Sequence, residues 1–164
     1  MNIQDVAIPA PAVPALHVQK ILVPIDFSTP CNKAFKYALG FARQFGSQIV
    51  MIHVIERAPV AGAEPVADER MPQDELALAE EKMQALADAS PRDGNLRITS
   101  GIRRGLATHE IVQAAEELDV DLIIMATHGL RGWKHFGLGS TADRVARAAS
   151  CPVLVVRERE REFI

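Results

Sequence analysis

The stretch Ala126-Thr127-His128-Gly129 through Gly139-Ser140-Thr141 holds four of the chain's ten glycines within eleven positions. An apolar run, Asp121 to Met125, leads into it, and a helix-like run, Ala142 to Ala148, leads out. Gly139-Ser140-Thr141 falls at the predicted helix start, where free backbone N–H groups and the positive dipole end attract an anion. Glycine at 139 lets a phosphate oxygen approach without meeting a Cβ, and Ser140 and Thr141 add hydroxyl donors. Ser140 with Asp143 three residues on reads as a capping-box-like start. The chemistry this spacing suits is phosphate binding; a plain connector with glycines at tight turns is the alternative. No Lys-Ser or Lys-Thr pair follows the glycines, so this is not a Walker loop. The dinucleotide fingerprint is excluded too, because it belongs after the first strand.

Asp26 and Ser28 follow the apolar run Ile21 to Ile25. A carboxylate at a strand end contacts a ligand bound at that end of the sheet, or caps the next helix. His128 has no nucleophile or carboxylate identifiable beside it, so a loop-orienting or ligand-contact role outranks acid–base chemistry. His53 reads as a core or strand-end residue. Cys31 lies near a helix start, which can lower a thiol pKa, but an ordinary buried cysteine is the expectation. Trp133 and Phe136 pack under the glycine loop or form a contact surface. No catalytic residue is assigned.

These residues need a frame. Residues 21–26 read as a strand, and Pro24 within it marks an edge or a loosening ladder. Ser28-Thr29-Pro30 starts a helix that Gly46 stops. Residues 48–55 form a second buried strand, 56–71 an exposed loop, and Pro72 opens a helix with Leu76, Ala79, Met83, Leu86 and Ala87 at helical spacing. A strand over 96–102, a helix over 107–118, a strand over 121–126, a helix over 140–149 and a strand over 152–157 complete the chain. Continuous apolar strands alternating with amphipathic helices predict one α/β domain, an open five-stranded parallel sheet with helices on both faces. With the order 3-2-1-4-5, strands one and four are neighbours and the winding reverses between them. Asp26 and the glycine loop then share the carboxyl end of the sheet, where such folds bind ligands.

A chain of 164 residues with a net charge of −3 offers no basic field for nucleic acid or anionic lipid. It has no apolar run of membrane-spanning length and no signal-peptide pattern. Its two cysteines build no disulfide framework, so a cytoplasmic location is expected. Residues 1–18, with Pro9, Pro11 and Pro14, read as a flexible arm; 19–158 form the domain; 159–164 are a charged tail.

The stretches "ILVPIDFS", "IVMIHVIE" and "IIMATHGLRGWKHFGLGSTADRVARAASCPVLVVR" together resemble the universal stress protein family over about residues 20–157. The resemblance implies a Rossmann-like fold, related to adenine nucleotide alpha hydrolases, with two helices on each face. The family's ATP-binding members carry glycine, two residues, glycine, nine residues, glycine, then serine or threonine. This chain has Gly129, Gly139 and Ser140 in that pattern, with Ala126 in place of the first glycine. By resemblance, Pro24, Ile25, Asp26 and Val54 line the adenosine side, and Met125, Ala126, His128 and Gly129 flank the ribose and first phosphate. Gly139, Ser140 and Thr141 take the outer phosphates, with Arg131 in reach of one. The implied ligand is ATP, with magnesium as a companion. The implied assembly is a homodimer through Val153, Leu154, Val155 and Val156, acting in stress response with an unnamed signalling partner. Two rivals stand beside it: a dimeric interaction module of the same fold that binds no nucleotide, which Ala126 favours, and a slow ATP hydrolase or adenylating relative.

Overall fold

The computed structural model describes residues 15–56, 73–90, 96–127 and 139–157. Strands β1 (Lys20–Ile25), β2 (Gln48–Ile55), β3 (Ile98–Arg104), β4 (Leu122–Ala126) and β5 (Val153–Val156) alternate with helices α1 (Thr29–Phe45), α2 (Gln73–Asp88), α3 (Ala107–Glu117) and α4 (Ser140–Ala148). All four strand pairings are parallel, in the order β3-β2-β1-β4-β5. The expected architecture is therefore observed. Most of the arm expected over 1–18 and of the loop expected over 56–71, and all of the tail expected over 159–164, lie outside the described residues.

The apolar strands are buried because helices cover both faces. Ile21, Val23 and Ile25 of β1 point with Ile49 and Met51 into a core closed by α1 and by Met83 of α2. Leu22, Val50, Ile52 and Ile123 point the other way, against Ile111 and Ala114 of α3 and Ala142 and Val145 of α4. The period-two alternation thus feeds two cores, one per face, each with two helices.

Helix α1 starts where Ser28 caps it, its side chain accepting from the Cys31 N–H, with Pro30 in the first turn. It ends at Gly46, whose left-handed backbone (φ 72°) suits glycine. Three readings need adjustment. Pro24 does not mark an edge, because β1 is the central strand. The ladder does loosen there: β1 pairs with β4 only at Ile21 and Leu22, while it follows β2 as far as Ile25. Strand β3 runs over 98–104, two residues later than predicted. Its hydrogen bonding nonetheless begins at Arg97, whose carbonyl accepts from the Ile49 N–H at 2.8 Å. The cap of α4 is Gly139 and not Ser140. Ser140 is the first helical residue, and Asp143 pairs with Arg147 (3.1 Å) instead of closing a capping box.

Candidate functional site

Because β1 and β4 part beyond Leu22 and Ile123, a crevice opens between their carboxyl ends. It forms a cleft of about 480 Å³. Pro24, Ile25, Asp26, Val54, Met125, Ala126, Gly139, Ser140 and Thr141 all line it, so nine of the predicted site residues come together. His128, Gly129 and Arg131, with Trp133 and Phe136, lie outside the described residues.

The β1 side is a tight turn. Asp26 Oδ1 accepts from the Ser28 N–H at 3.0 Å and from the Ser28 hydroxyl at 2.6 Å. Phe27 between them has φ 62°, a left-handed conformation rare for a bulky residue. Its ring packs against His53, with centroids 4.6 Å apart, and the Lys82 ammonium lies 5.4 Å from its centroid. His53 also lines the cleft, and its Nδ1 sits 2.7 Å from the Ile25 carbonyl oxygen. A carbonyl only accepts, so Nδ1 carries the hydrogen. The aromatic pair thus braces a strained turn against β2 and α2.

Cys31 lies in the cleft wall, buried, with its thiol donating to the Pro24 carbonyl at 3.5 Å. Burial first, and then the nearby Asp26 charge, push its pKa up to about 12, against a partial lowering by backbone hydrogen bonds. The helix start does not activate this thiol, in keeping with the expectation of an ordinary buried cysteine.

Three of the helix starts at the cleft, those of α1, α3 and α4, are finished differently. The first turn of α1 is capped from within by Ser28, whose Oγ accepts from Cys31 N at 3.2 Å. The first turn of α3 is served by Glu56 at the end of β2, whose Oε1 accepts from Ala107 N at 3.1 Å. Helix α4 begins at Gly139, which makes no side-chain cap bond. Gly139 has φ −55° and ψ 151°, extended backbone open to any residue, so its type is not demanded by the turn. Ala126 is equally unstrained: it ends β4 in register with Val156, outside the positive-φ positions.

Reading the sequence missed Thr127, Glu56 and Glu75 in the cleft wall. Thr127 is buried and ties two elements, its N–H donating to the Val156 carbonyl (3.0 Å) and its carbonyl accepting from Gly139 N (2.9 Å). Its place beside Ala126 was the available signal; Glu56 and Glu75 carried none, since their roles arise from distant segments.

A family model described as the universal stress protein family matches residues 17–157. The chain belongs to the universal stress protein family. It is 34% identical over 146 residues to universal stress protein MJ0531 of Methanocaldococcus jannaschii, spanning 88% of this chain and 85% of that one. The solved structure of MJ0577, a universal stress protein of the same organism, matches with 29% identity and a TM-score of 0.76, covering 89% of this chain and all of that one. Two more distant structures share the fold. One is a universal stress protein in complex with cAMP (21% identity, TM-score 0.63, 88% of this chain and 100% of that one). The other, from Arabidopsis thaliana, has AMP bound (20%, 0.53, 89% and 95%). Among the described residues of this universal stress protein, no helix is long and apolar enough to cross a membrane.

Proposed function

We propose that the cleft binds an adenine nucleotide, ATP being the expected ligand, and that the nucleotide acts as a conformational signal in a stress-response dimer. The observation that carries this reading is the pairing of a held carboxylate, Asp26, with the helix start Gly139-Ser140-Thr141, which has no side-chain cap among the described residues, across one cleft. The two poles favour opposite groups. The α4 start attracts phosphate through its N–H groups and dipole. Asp26, with Glu56 and Glu75 nearby, repels phosphate and accepts from hydroxyls or amines. A nucleotide carries both kinds of group at its two ends, and a volume of about 480 Å³ is in the range that holds such a ligand.

The cAMP and AMP reported in two family structures support the same class of ligand. Magnesium would arrive with the phosphates: among the described residues, no group of three or more His, Cys, Asp or Glu side chains converges, and this ion is commonly held by one or two carboxylates plus substrate phosphates. The unstrained backbone at Ala126 weakens the case for the nucleotide-free interaction module, since its Cβ does not distort the strand. Dimerisation is assigned to β5. This strand lies at the edge of the sheet, and Val153, Leu154 and Val155 stay half-exposed in the single chain, an apolar edge that invites pairing.

The direct test is thermal melting with ATP, AMP and cAMP, each with magnesium. A ligand held only by the folded state raises the melting temperature by mass action. A melting curve that millimolar concentrations of all three leave unmoved would favour the nucleotide-free module.

A further inference from the structure

Helices α1 and α2 are almost equal in length, yet they are held very differently. Of the seventeen residues of α1, six are buried; of the sixteen of α2, only Ala79 and Met83 are. What anchors α2 begins at Ala79. Ala79 and Met83 are buried, the Lys82 ammonium lies over the Phe27 ring, and Leu86 and Ala87 pack on the core that α1 closes. Ahead of Ala79, the residues Gln73 to Leu78 are exposed except for the half-buried Leu76, and Leu78 keeps 51% of its surface in solvent. This overhanging end nonetheless forms part of the cleft wall, through Glu75.

Charge acts on the same end. Glu75 shares the cleft lining with Asp26 and Glu56, and those two are fastened to their surroundings, Asp26 by Ser28 and Glu56 by the Ala107 N–H. Like charges lining one cleft repel, and the element that yields is the one with few buried contacts. A ligand that brings hydroxyl or amine donors between the carboxylates gives Glu75 something to accept from where it had only like charge to face.

We propose that the Gln73–Leu78 end of α2 is the part of the fold that answers the ligand: it opens readily in the free chain and is held shut by bound nucleotide, so that α2 carries the conformational signal. The proposal rests on the nucleotide reading above.

Hydrogen exchange of the full chain, free and saturated with magnesium-bound ATP, tests it, with calorimetric titration to establish saturation. The amides of Ala77 to Ala79 are the first in α2 with an intrahelical acceptor. In the free chain they should exchange about tenfold or more faster than those in the middle of α1, and ATP should slow them about fivefold or more. A ligand that only stabilised the fold as a whole would slow the most protected amides and leave these as they were. Glu75→Gln separates repulsion from simple fraying. An acid in the first turn normally steadies a helix through its dipole, so its loss alone should speed exchange. With repulsion across the cleft in control, the variant should instead slow exchange in the free chain by about twofold or more. Three results would overturn the proposal and leave nucleotide binding standing: an α2 start as protected as α1 in the free chain, unchanged exchange there at saturation, or unchanged or faster exchange in Glu75→Gln. No binding of ATP by the wild type would overturn the nucleotide reading and this proposal with it.

Discussion

At the amino end of the sheet, β1 and β4 are stitched together; at the carboxyl end, the same two strands have parted. Asp121 Oδ2 accepts from the N–H groups of Gln19 and Lys20 at 2.7 and 2.8 Å, and Asp121 N returns a bond to the Lys20 carbonyl at 3.0 Å. The Lys20 ammonium donates to the Leu118 carbonyl, and the Ser47 hydroxyl to that of Val18. At the other end Pro24 brings no N–H, pairing with β4 has stopped, and among the described residues no side chain caps the α4 start. At the amino end side chains tie β1 directly to the segment leading into β4; at the carboxyl end Ser28 and Glu56 close the starts of α1 and α3, while the α4 start faces the cleft. The division separates stability from binding. It implies that mutations at the two ends should move different observables.

The largest effect expected concerns the exposed edge. In the proposed β5 contact, Val155→Lys places a charge where apolar side chains meet. An unpaired buried charge costs about 3 kcal/mol or more, enough to weaken the dimer over a hundredfold. Light scattering should show monomer, and an unchanged mass would remove β5 from the interface. At the amino end, Asp121→Ala removes two exposed bonds, from the Gln19 and Lys20 amides, that water can replace, and should destabilise the fold by about 1 kcal/mol. Denaturant unfolding measures this, and ATP affinity of the folded fraction should hold. A loss of affinity without a loss of stability would break the separation of the two ends.

Cys31 gives a pH signature of the cleft wall. Its folded pKa of about 12 lies above the ordinary 9.0. Between those values the unfolded chain releases this proton while the folded chain keeps it. The contribution is therefore fully present below pH 9 and is lost as pH rises towards 12, at about 1.4 kcal/mol per pH unit. The stability of the wild type relative to Cys31→Ala should fall over that window, and parallel profiles would contradict the buried thiol. The smallest effect belongs to Ser140→Ala. Ser140 is exposed and makes no cap, so stability should stay near wild type, while ATP affinity falls by about fivefold for one lost hydroxyl donor.

Much of this arrangement was legible in the sequence. The alternation of apolar runs with helical spacing reported the elements, because burial on both faces leaves a continuous signal in central strands such as Ile49–Ile52. The Ser28-Thr29-Pro30 start and the Gly46 stop carried local backbone chemistry and appear where expected. Of the two readings of Pro24, the loosening ladder holds and the edge does not: its missing N–H falls where β1 has already left β4, so a central strand tolerates it. The α4 start was displaced by one residue because glycine and serine both suit a cap, and only the backbone angles separate them. Glu56 on Ala107 joins residues 51 apart, and no local pattern encodes such a contact. The strain at Phe27 was invisible for the same reason, since it depends on His53 and Lys82 from two other elements.

The central claim is that the α4 start is the phosphate end of a nucleotide site. Calorimetric titration of wild type and Gly139→Val with magnesium-bound ATP tests it most directly, with circular dichroism as the control for folding. Gly139 has a backbone conformation that valine adopts readily, so the variant should fold, and its branched side chain should then meet the approaching phosphate. The wild-type chain should bind ATP saturably at one site, and the variant should lose about a hundredfold or more in affinity. Unchanged ATP affinity in a folded Gly139→Val protein would contradict it.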